Sequence, residues 1–354
     1  MSGPPPTVHW VPLLPPDRDD PPYDALLANG VSFCPEIGGG AVLVARWRLV
    51  RKVLGSERAY ERHYERHEVS PGGRRQAVAG KAFSPQRVGA RVERMRRWAD
   101  VLVDRLLPAG HADLEARFAT PFVARVLNDM IGFPAADDDL VERFRRTTDA
   151  PDVHHQAHRY VTRLAARHRF AGQDLIGDLV HAGLHADEIV ALSLAGWDPA
   201  EQATRNLLLF AVRDMLTAGS WCAARRDRCV EESLRRWSPH GTVLRRTTTA
   251  VTLARHRLPA GTPVGLVLGA ANLDPAVFAR PRELDPCRAR LDRHVAFGHG
   301  VHRCRGATLA RTATRVAIDA LSRLPNLRLA DPGQRQRKAH PFLNGPDRVD
   351  LDWG

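Results

Sequence analysis

The 354-residue sequence predicts a mostly α-helical protein with a small β portion late in the chain. Three observations carry that prediction. Apolar residues recur at helical spacing over residues 87–107, 120–131, 186–216 and 306–324. After Trp237 the run TVLRRTTTAVTLARHRLPAGTPVGLVL is rich in Thr and Val, is broken by PAG, and predicts short strands. Near the N-terminus GGG separates VSFCPEI from AVLVA, which is a hairpin signal.

Taken in order, residues 1–20 form a Pro-rich lead-in expected to lie on the surface. They lack a basic region before an apolar stretch, so no signal peptide is expected. DALLANG predicts a helix before the hairpin and RWRLVRKVLG one after it. The 87–107 helix is stopped by Pro108-Ala109-Gly110, and the 120–131 helix by Gly132 and Pro134. His154–His168 predicts a polar helix. Ala186–Leu216 predicts one long, largely apolar helix whose first turn holds Asp187 and Glu188, where the helix dipole favours acids. In ATLARTATRVAIDALSRL, Leu309, Val316, Ala320 and Leu324 fall near one face. No repeat and no long linker divides the chain.

Composition narrows the class. With 44% hydrophobic and 26% charged residues the chain is globular rather than disordered. No uncharged apolar stretch of about 18 residues exists, so no membrane span is expected. Cys34, Cys222, Cys229, Cys287 and Cys304 are scattered and odd in number, without a CxxC pair. That argues against a disulfide framework and structural zinc and predicts a reducing cytoplasm. The net charge is +12 from 52 Lys and Arg, nearly all Arg. Such a surface attracts nucleic acid, an acidic protein or an anionic substrate. The arginines are spread along the whole chain, which also fits a plain Arg-rich composition, and no nucleic-acid role is expected. HHQAH at 154–158 invites a metal reading, but no acidic or cysteine partner completes a ligand set, and a polar lid helix is the plainer reading.

The chemistry concentrates at FGHGVHRCRGATLAR, residues 297–311. Gly298 and Gly300, just before Cys304, allow a tight turn with positive φ. Gly306 lets another group approach the backbone. A helix begins directly after the cysteine, and its N-terminal dipole favours a thiolate there. A thiolate so presented is a soft ligand for iron, and in haem enzymes it promotes O–O cleavage. Taken alone, the spacing also fits a Gly-rich turn ending in a buried cysteine.

The whole stretch resembles the cytochrome P450 pattern FGxGxHxCxGxxLAR, with every defining position present. The resemblance continues along nearly the whole chain and implies one P450 domain over 1–354, although length alone suggested two or more. Glu232 and Arg235, in CVEESLRRWSP, resemble the family's ExxR, whose charge network braces the haem-side core. Arg245 resembles the strand arginine that pairs with a haem propionate. NLDPAVFARPRELDP and GHADLEARFATPFVARVLNDMIGFP resemble further family segments. By the same resemblance the cofactor is haem (heme, iron protoporphyrin IX), Cys304 is its axial ligand, His302 bonds a propionate, and Phe297 packs beside the cysteine.

Three departures stand out. Where the family reads AGx(D/E)T(T/S), this chain reads Ala195-Gly196-Trp197-Asp198-Pro199-Ala200. Asp198 keeps the acid, but Pro199 replaces the threonine that delivers protons to the oxygen being reduced. Proline removes the partner of the Ala195 carbonyl, so the helix is expected to kink. Asp198, a water or the substrate must then supply the proton, and oxidative coupling becomes an option beside hydroxylation. Trp197 faces either the haem pocket or the core. Ahead of AFSP, the family's propionate-binding His and Arg align with Gly72 and Gln76, leaving Arg74 or Arg75 as substitutes. Lastly, residues 56–73 and 147–179 are compact, which predicts an open distal face suited to a peptide or a carrier-held group.

The resemblance implies a cytoplasmic, monomeric, haem-thiolate oxidase or monooxygenase tailoring a natural product. Its electrons come from a separate ferredoxin and ferredoxin reductase, and its substrate is aromatic, peptidic or bound to a carrier protein. Two alternatives remain: a non-catalytic partner that activates another enzyme, and a peroxide-driven enzyme.

Overall fold

A computed structural model describes residues 4–9, 23–37, 39–62, 78, 80–146, 151–167, 174–195, 197–219, 221, 223–332, 342–346 and 348–354. Helix α1 (Asp24–Asn29) leads into the hairpin β1 (Val31–Cys34) and β2 (Ala41–Val44), followed by α2 (Trp47–Leu54) and β3 (Tyr60–Arg62). Then come α3 (Pro85–Gly89), α4 (Val92–Leu106), β4 (His111–Asp113) and, after a π-helical turn at Glu115–Ala119, α5 (Thr120–Ile131). Helices α6 (Asp138–Arg146), α7 (Pro151–Arg167), α8 (Leu175–His181), α9 (Ala186–Ala195), α10 (Trp197–Thr217) and α11 (Ala223–Trp237) follow. The late β portion is β5 (Thr242–Thr247), β6 (Val251–Leu253), β7 (His256–Leu258) and β8 (Pro263–Val267), then α12 (Leu268–Asn272). Helix α13 (Ala307–Leu321), β9 (Arg328–Leu329) and β10 (Asp350–Asp352) complete it.

The β1–β2 hairpin forms where GGG predicted it, with Val31 opposite Val44 and Cys34 opposite Ala41. It joins a five-stranded sheet in the order β1-β2-β8-β5-β3. Within the lead-in, Val8 N–H donates to Phe33 and Phe33 N–H donates to Pro6, so residues 6–8 pair with the outer edge of β1. The short strand β3, absent from the sequence expectation, sets Arg62 opposite Arg245 on β5. A three-stranded sheet, β4-β10-β9, joins chain segments far apart in sequence.

Helices α4, α5, α10, α11 and α13 pack together as the main core. Helix α13 buries Leu309, Ala313, Val316, Ala317, Ile318 and Leu321. Each large aliphatic side chain so buried stabilises by about 1.5–3 kcal/mol relative to exposure. Gly132 closes α5 with φ of 110°, as its position predicted.

Two expectations need correction. The 87–107 segment is not one helix: α3 and α4 are separated at Ala90–Arg91, and Leu107–Ala109 tightens into a 3₁₀ turn at Pro108. The predicted 186–216 helix is likewise two helices, α9 and α10, with Gly196 between them outside the described residues. Pro199 is the third residue of α10, and the interruption falls just before it. In a first turn the missing N–H has no intrahelical acceptor to lose, so proline costs little there. The halves also have different neighbours: α9 packs on α7 and α8, whereas α10 packs on α5, α11 and α13.

Candidate functional site

Cys304 stands on an exposed loop that runs into α13. The loop is closed by short backbone bonds: Gly298 N–H donates to Val295 O at 2.8 Å, Cys304 N–H to Phe297 O at 2.9 Å, and Arg303 N–H to Gly300 O at 3.1 Å. Gly298 and Gly300 have φ of 71° and 73°, as their places before the cysteine predicted. Gly300 is doubly constrained. A Cβ there would lie 2.8 Å from the carbonyl oxygen of Leu54, so the loop seats directly on the end of α2. Gly306 precedes α13, and a Cβ there would stand 3.8 Å from the Cys304 Sγ.

Among the described cysteines, Cys34 and Cys229 are buried, and Cys287 is exposed on the segment that contacts Glu232. Burial pushes the Cys34 thiol up to about 11, an effect reinforced by its hydrogen bond to Glu36. Of these four described cysteines only Cys304 combines exposure, a Gly-shaped turn and the N-terminal end of a long helix. That donor set suits a soft metal centre.

Phe297 is half-buried beside this loop, with the Arg311 guanidinium 4.5 Å above its ring centroid. Arg311 in turn bonds Glu231 on α11, as does His294 Nε2 at 3.0 Å. Burial alone would raise the Glu231 carboxyl, but the bonds from Arg311 and His294 reverse this and hold it at about 2. Phe297 is thus tied to α11 through the Arg311 guanidinium and its ion pair with Glu231. His302 ends the 3₁₀ turn Gly300–His302, with Nε2 4.0 Å from Glu57 Oε1. Arg245 is 7% exposed on β5, and its Nη1 donates to Leu244 O at 2.8 Å.

Glu232 and Arg235 form the pair that the i, i+3 spacing predicted, and both are fully buried. Arg235 donates Nε to Glu232 Oε2 and Nη2 to Oε1, each at 2.7 Å. The sequence reading missed the third member. Arg288 Nε donates to Glu232 Oε1 at 3.1 Å, alongside the Asp285 backbone N–H at 3.1 Å. Its Nη groups hold the carbonyls of Ala279, Arg280 and Glu283. The available signal was an arginine two residues past Pro286, in a segment already singled out. A second buried acid, Asp214 on α10, accepts from Ser233 Oγ at 2.6 Å and Trp237 Nε1 at 2.9 Å. Burial raises its carboxyl, against the opposing pull of Arg236, Arg213 and these two donors.

On the opposite departure, Ala195 ends α9, Trp197 and Asp198 begin α10, and Pro199 is half-buried. The side chains of Ala195, Trp197 and Asp198, all of Gly196, and Gly72, Arg74, Arg75 and Gln76 lie outside the described residues. Past Pro199, Glu201 is fully buried and binds Arg205 Nη1 at 2.9 Å, and Arg205 reaches Glu115 at 3.2 Å. His158, of the HHQAH run, meets Asp187 at 2.7 Å, an acid the sequence did not place near it. No cluster of metal-binding type is found among the described residues. No described helix is long and apolar enough to cross a membrane.

Residues 226–351 match the family model "Cytochrome P450". The chain is 31% identical to mycinamicin IV hydroxylase/epoxidase of Micromonospora griseorubida, over 90% of this chain and 91% of that one. It is 31% identical to biflaviolin synthase of Streptomyces coelicolor, over 99% and 98%. A post-tailoring hydroxylase involved in himastatin biosynthesis superposes with a TM-score of 0.82 at 27% identity, covering 94% of this chain and 97% of that one. The chain belongs to the cytochrome P450 family: it is a haem-binding oxidoreductase with the P450 fold.

Proposed function

We propose that this P450 is a haem-thiolate oxidase that tailors a natural product, with Cys304 as the axial ligand. The single observation that carries the reading is the Cys304 loop, an exposed thiol at the start of α13 on a turn shaped by two positive-φ glycines. Bound haem supplies reductive activation of O2. The helix N-terminus favours the thiolate form of Cys304. Phe297, clamped through Arg311 to Glu231, limits water around the sulfur. His302 and Arg245 would hold the propionates, Arg245 as a charge-assisted donor. Arg75 is a further option outside the described residues. Phosphopantetheine-held, peptidic or aromatic substrates suit the compact 147–179 region.

Electrons enter from a separate ferredoxin and its reductase in the cytoplasm. The support is a basic surface beside the cysteine. Arg48, Arg51 and Lys52 on α2 and Arg303 and Arg305 on the loop are all exposed, with Val301 48% exposed among them. Opposite charge would steer an acidic donor to this face. Pro199 in place of the usual threonine favours reactions that need no threonine-borne proton, so oxidative coupling stands beside hydroxylation, and peroxide-driven turnover is a second reading.

The test is the reduced, carbon-monoxide-treated spectrum of the purified protein. Wild type should show the red-shifted thiolate band and Cys304→Ala should lose it. A thiolate band surviving in Cys304→Ala sinks the ligand assignment, and a colourless wild type sinks the oxidase reading. Product formed with hydrogen peroxide but without ferredoxin would select the peroxide reading.

A further inference from the structure

Helix α7 buries Ala157, Val161 and Ala165, one residue per turn. Its opposite face exposes Arg159, Arg163 and Arg167 at the same spacing of four. After Asp152 the helix contains no acidic residue. Like charges four apart destabilise a helix. The helix dipole favours Arg167 in the last turn but does nothing for Arg159 in the middle.

Several arginines on other helices are matched with acids: Arg125 meets Asp138, Arg315 meets Asp227, and Arg226 meets Asp319. Arg-rich composition explains the supply of arginine but not a row without acids.

The row also stands on a braced element. Helix α7 lies along α9. His158 Nε2 meets Asp187 Oδ1 at 2.7 Å, and Tyr160 Oη donates to Asp137 Oδ2 at 2.8 Å. Eight residues at 1.5 Å each set the outer arginines about 12 Å apart. Carboxylates at i, i+4 and i+8 of a partner helix share that rise, so three pairs form in register. An anionic membrane would call for large apolar side chains among the cations. The exposed large apolar residues found are Val101, Leu107 and Val301, none of them on α7.

We propose that Arg159, Arg163 and Arg167 dock an acidic helix of a carrier protein, which presents its phosphopantetheine-held substrate to the distal side. This rests on the reading above that the substrate is carrier-held. It assigns two basic faces to two partners: α7 to the substrate carrier, and α2 with the Cys304 loop to the electron donor.

The experiment titrates the haem-loaded protein with a phosphopantetheinylated fatty-acid acyl carrier protein bearing an amide-linked dodecanoyl group. Wild type should bind, with affinity falling as salt rises. Arg159→Glu/Arg163→Glu/Arg167→Glu should weaken binding at least tenfold. The charge-matched control Arg97→Glu/Arg105→Glu/Arg117→Glu should bind like wild type. The reduced carbon-monoxide spectrum of each variant reports an intact fold. Absence of carrier binding by wild type, or equal binding by the α7 variant, overturns the proposal. So does row-dependent binding of phosphatidylglycerol vesicles or duplex DNA in place of the carrier. A normal spectrum with no carrier binding refutes this inference alone, whereas a colourless protein refutes the oxidase reading beneath it.

Discussion

Gly298 and Gly300 share a positive φ but not an environment. At Gly298 the nearest atom to an added Cβ is 3.9 Å away, so Gly298→Ala should cost only the left-handed backbone penalty, roughly 1–2 kcal/mol. At Gly300 the same methyl meets a backbone carbonyl at 2.8 Å, which cannot rotate aside. Gly300→Ala should therefore lose haem in a washout assay under conditions where Gly298→Ala retains it; the reverse order would mean that the contact with Leu54 is unimportant. On the distal side, Asp198→Asn should slow turnover more than it weakens substrate binding, and unchanged turnover removes Asp198 from the proton path. Glu231 governs a pH effect. Its carboxyl is held at about 2 against an ordinary 4.5. A depressed acid stabilises the fold above its unfolded value, and that contribution is lost as pH falls from about 4.5 toward 2. The loss is on the order of 3 kcal/mol, so acid unfolding of Glu231→Gln should be shallower than that of wild type over this interval. Parallel curves would show that the Arg311 clamp does not hold in solution.

At the scale of elements, the sequence spoke clearly where a local rule decides the outcome. GGG marked the hairpin, Gly132 the end of α5, and the ExxR spacing a helical pair, because turns, caps and i, i+3 contacts depend on neighbours in the chain; that the pair is buried came only from the family resemblance. It was silent where distant segments decide. Strand β3 exists because β5 offers it an edge, and Arg288 joins Glu232 across 56 residues. The division of the 186–216 helix into α9 and α10 was missed for a related reason. A proline is equally at home in a first turn and at a kink, and only the start of α10 at Trp197 distinguishes them. The Glu232 network yields a prediction of its own. Glu232→Gln leaves Arg235 and Arg288 buried without a counter-charge, so it should cost about 3–5 kcal/mol in urea unfolding. A loss below about 1 kcal/mol would mean that the two arginines are satisfied by the loop carbonyls alone.

Across the whole molecule, charge is distributed by task. The interior holds acids matched to arginine, the Cys304 face carries cations from α2 and the loop, and α7 carries a row of its own. Reversing α7 should leave ferredoxin-supported reduction of haem unchanged, as the proposed entry of electrons at the α2 face requires; slowed reduction would merge the two surfaces into one. The buried network has a further consequence in time. Glu232 leaves the ribosome 53 residues before Asp285 and 56 before Arg288. Throughout that interval its carboxylate has only Arg235 within α11, and hydration must supply the remaining partners. Helix α11 therefore cannot settle into the core during synthesis of the late strands. The polypeptide must emerge as far as Arg288 before the Glu232 network can close, and a nascent chain stalled short of it would be left with its heart still wet.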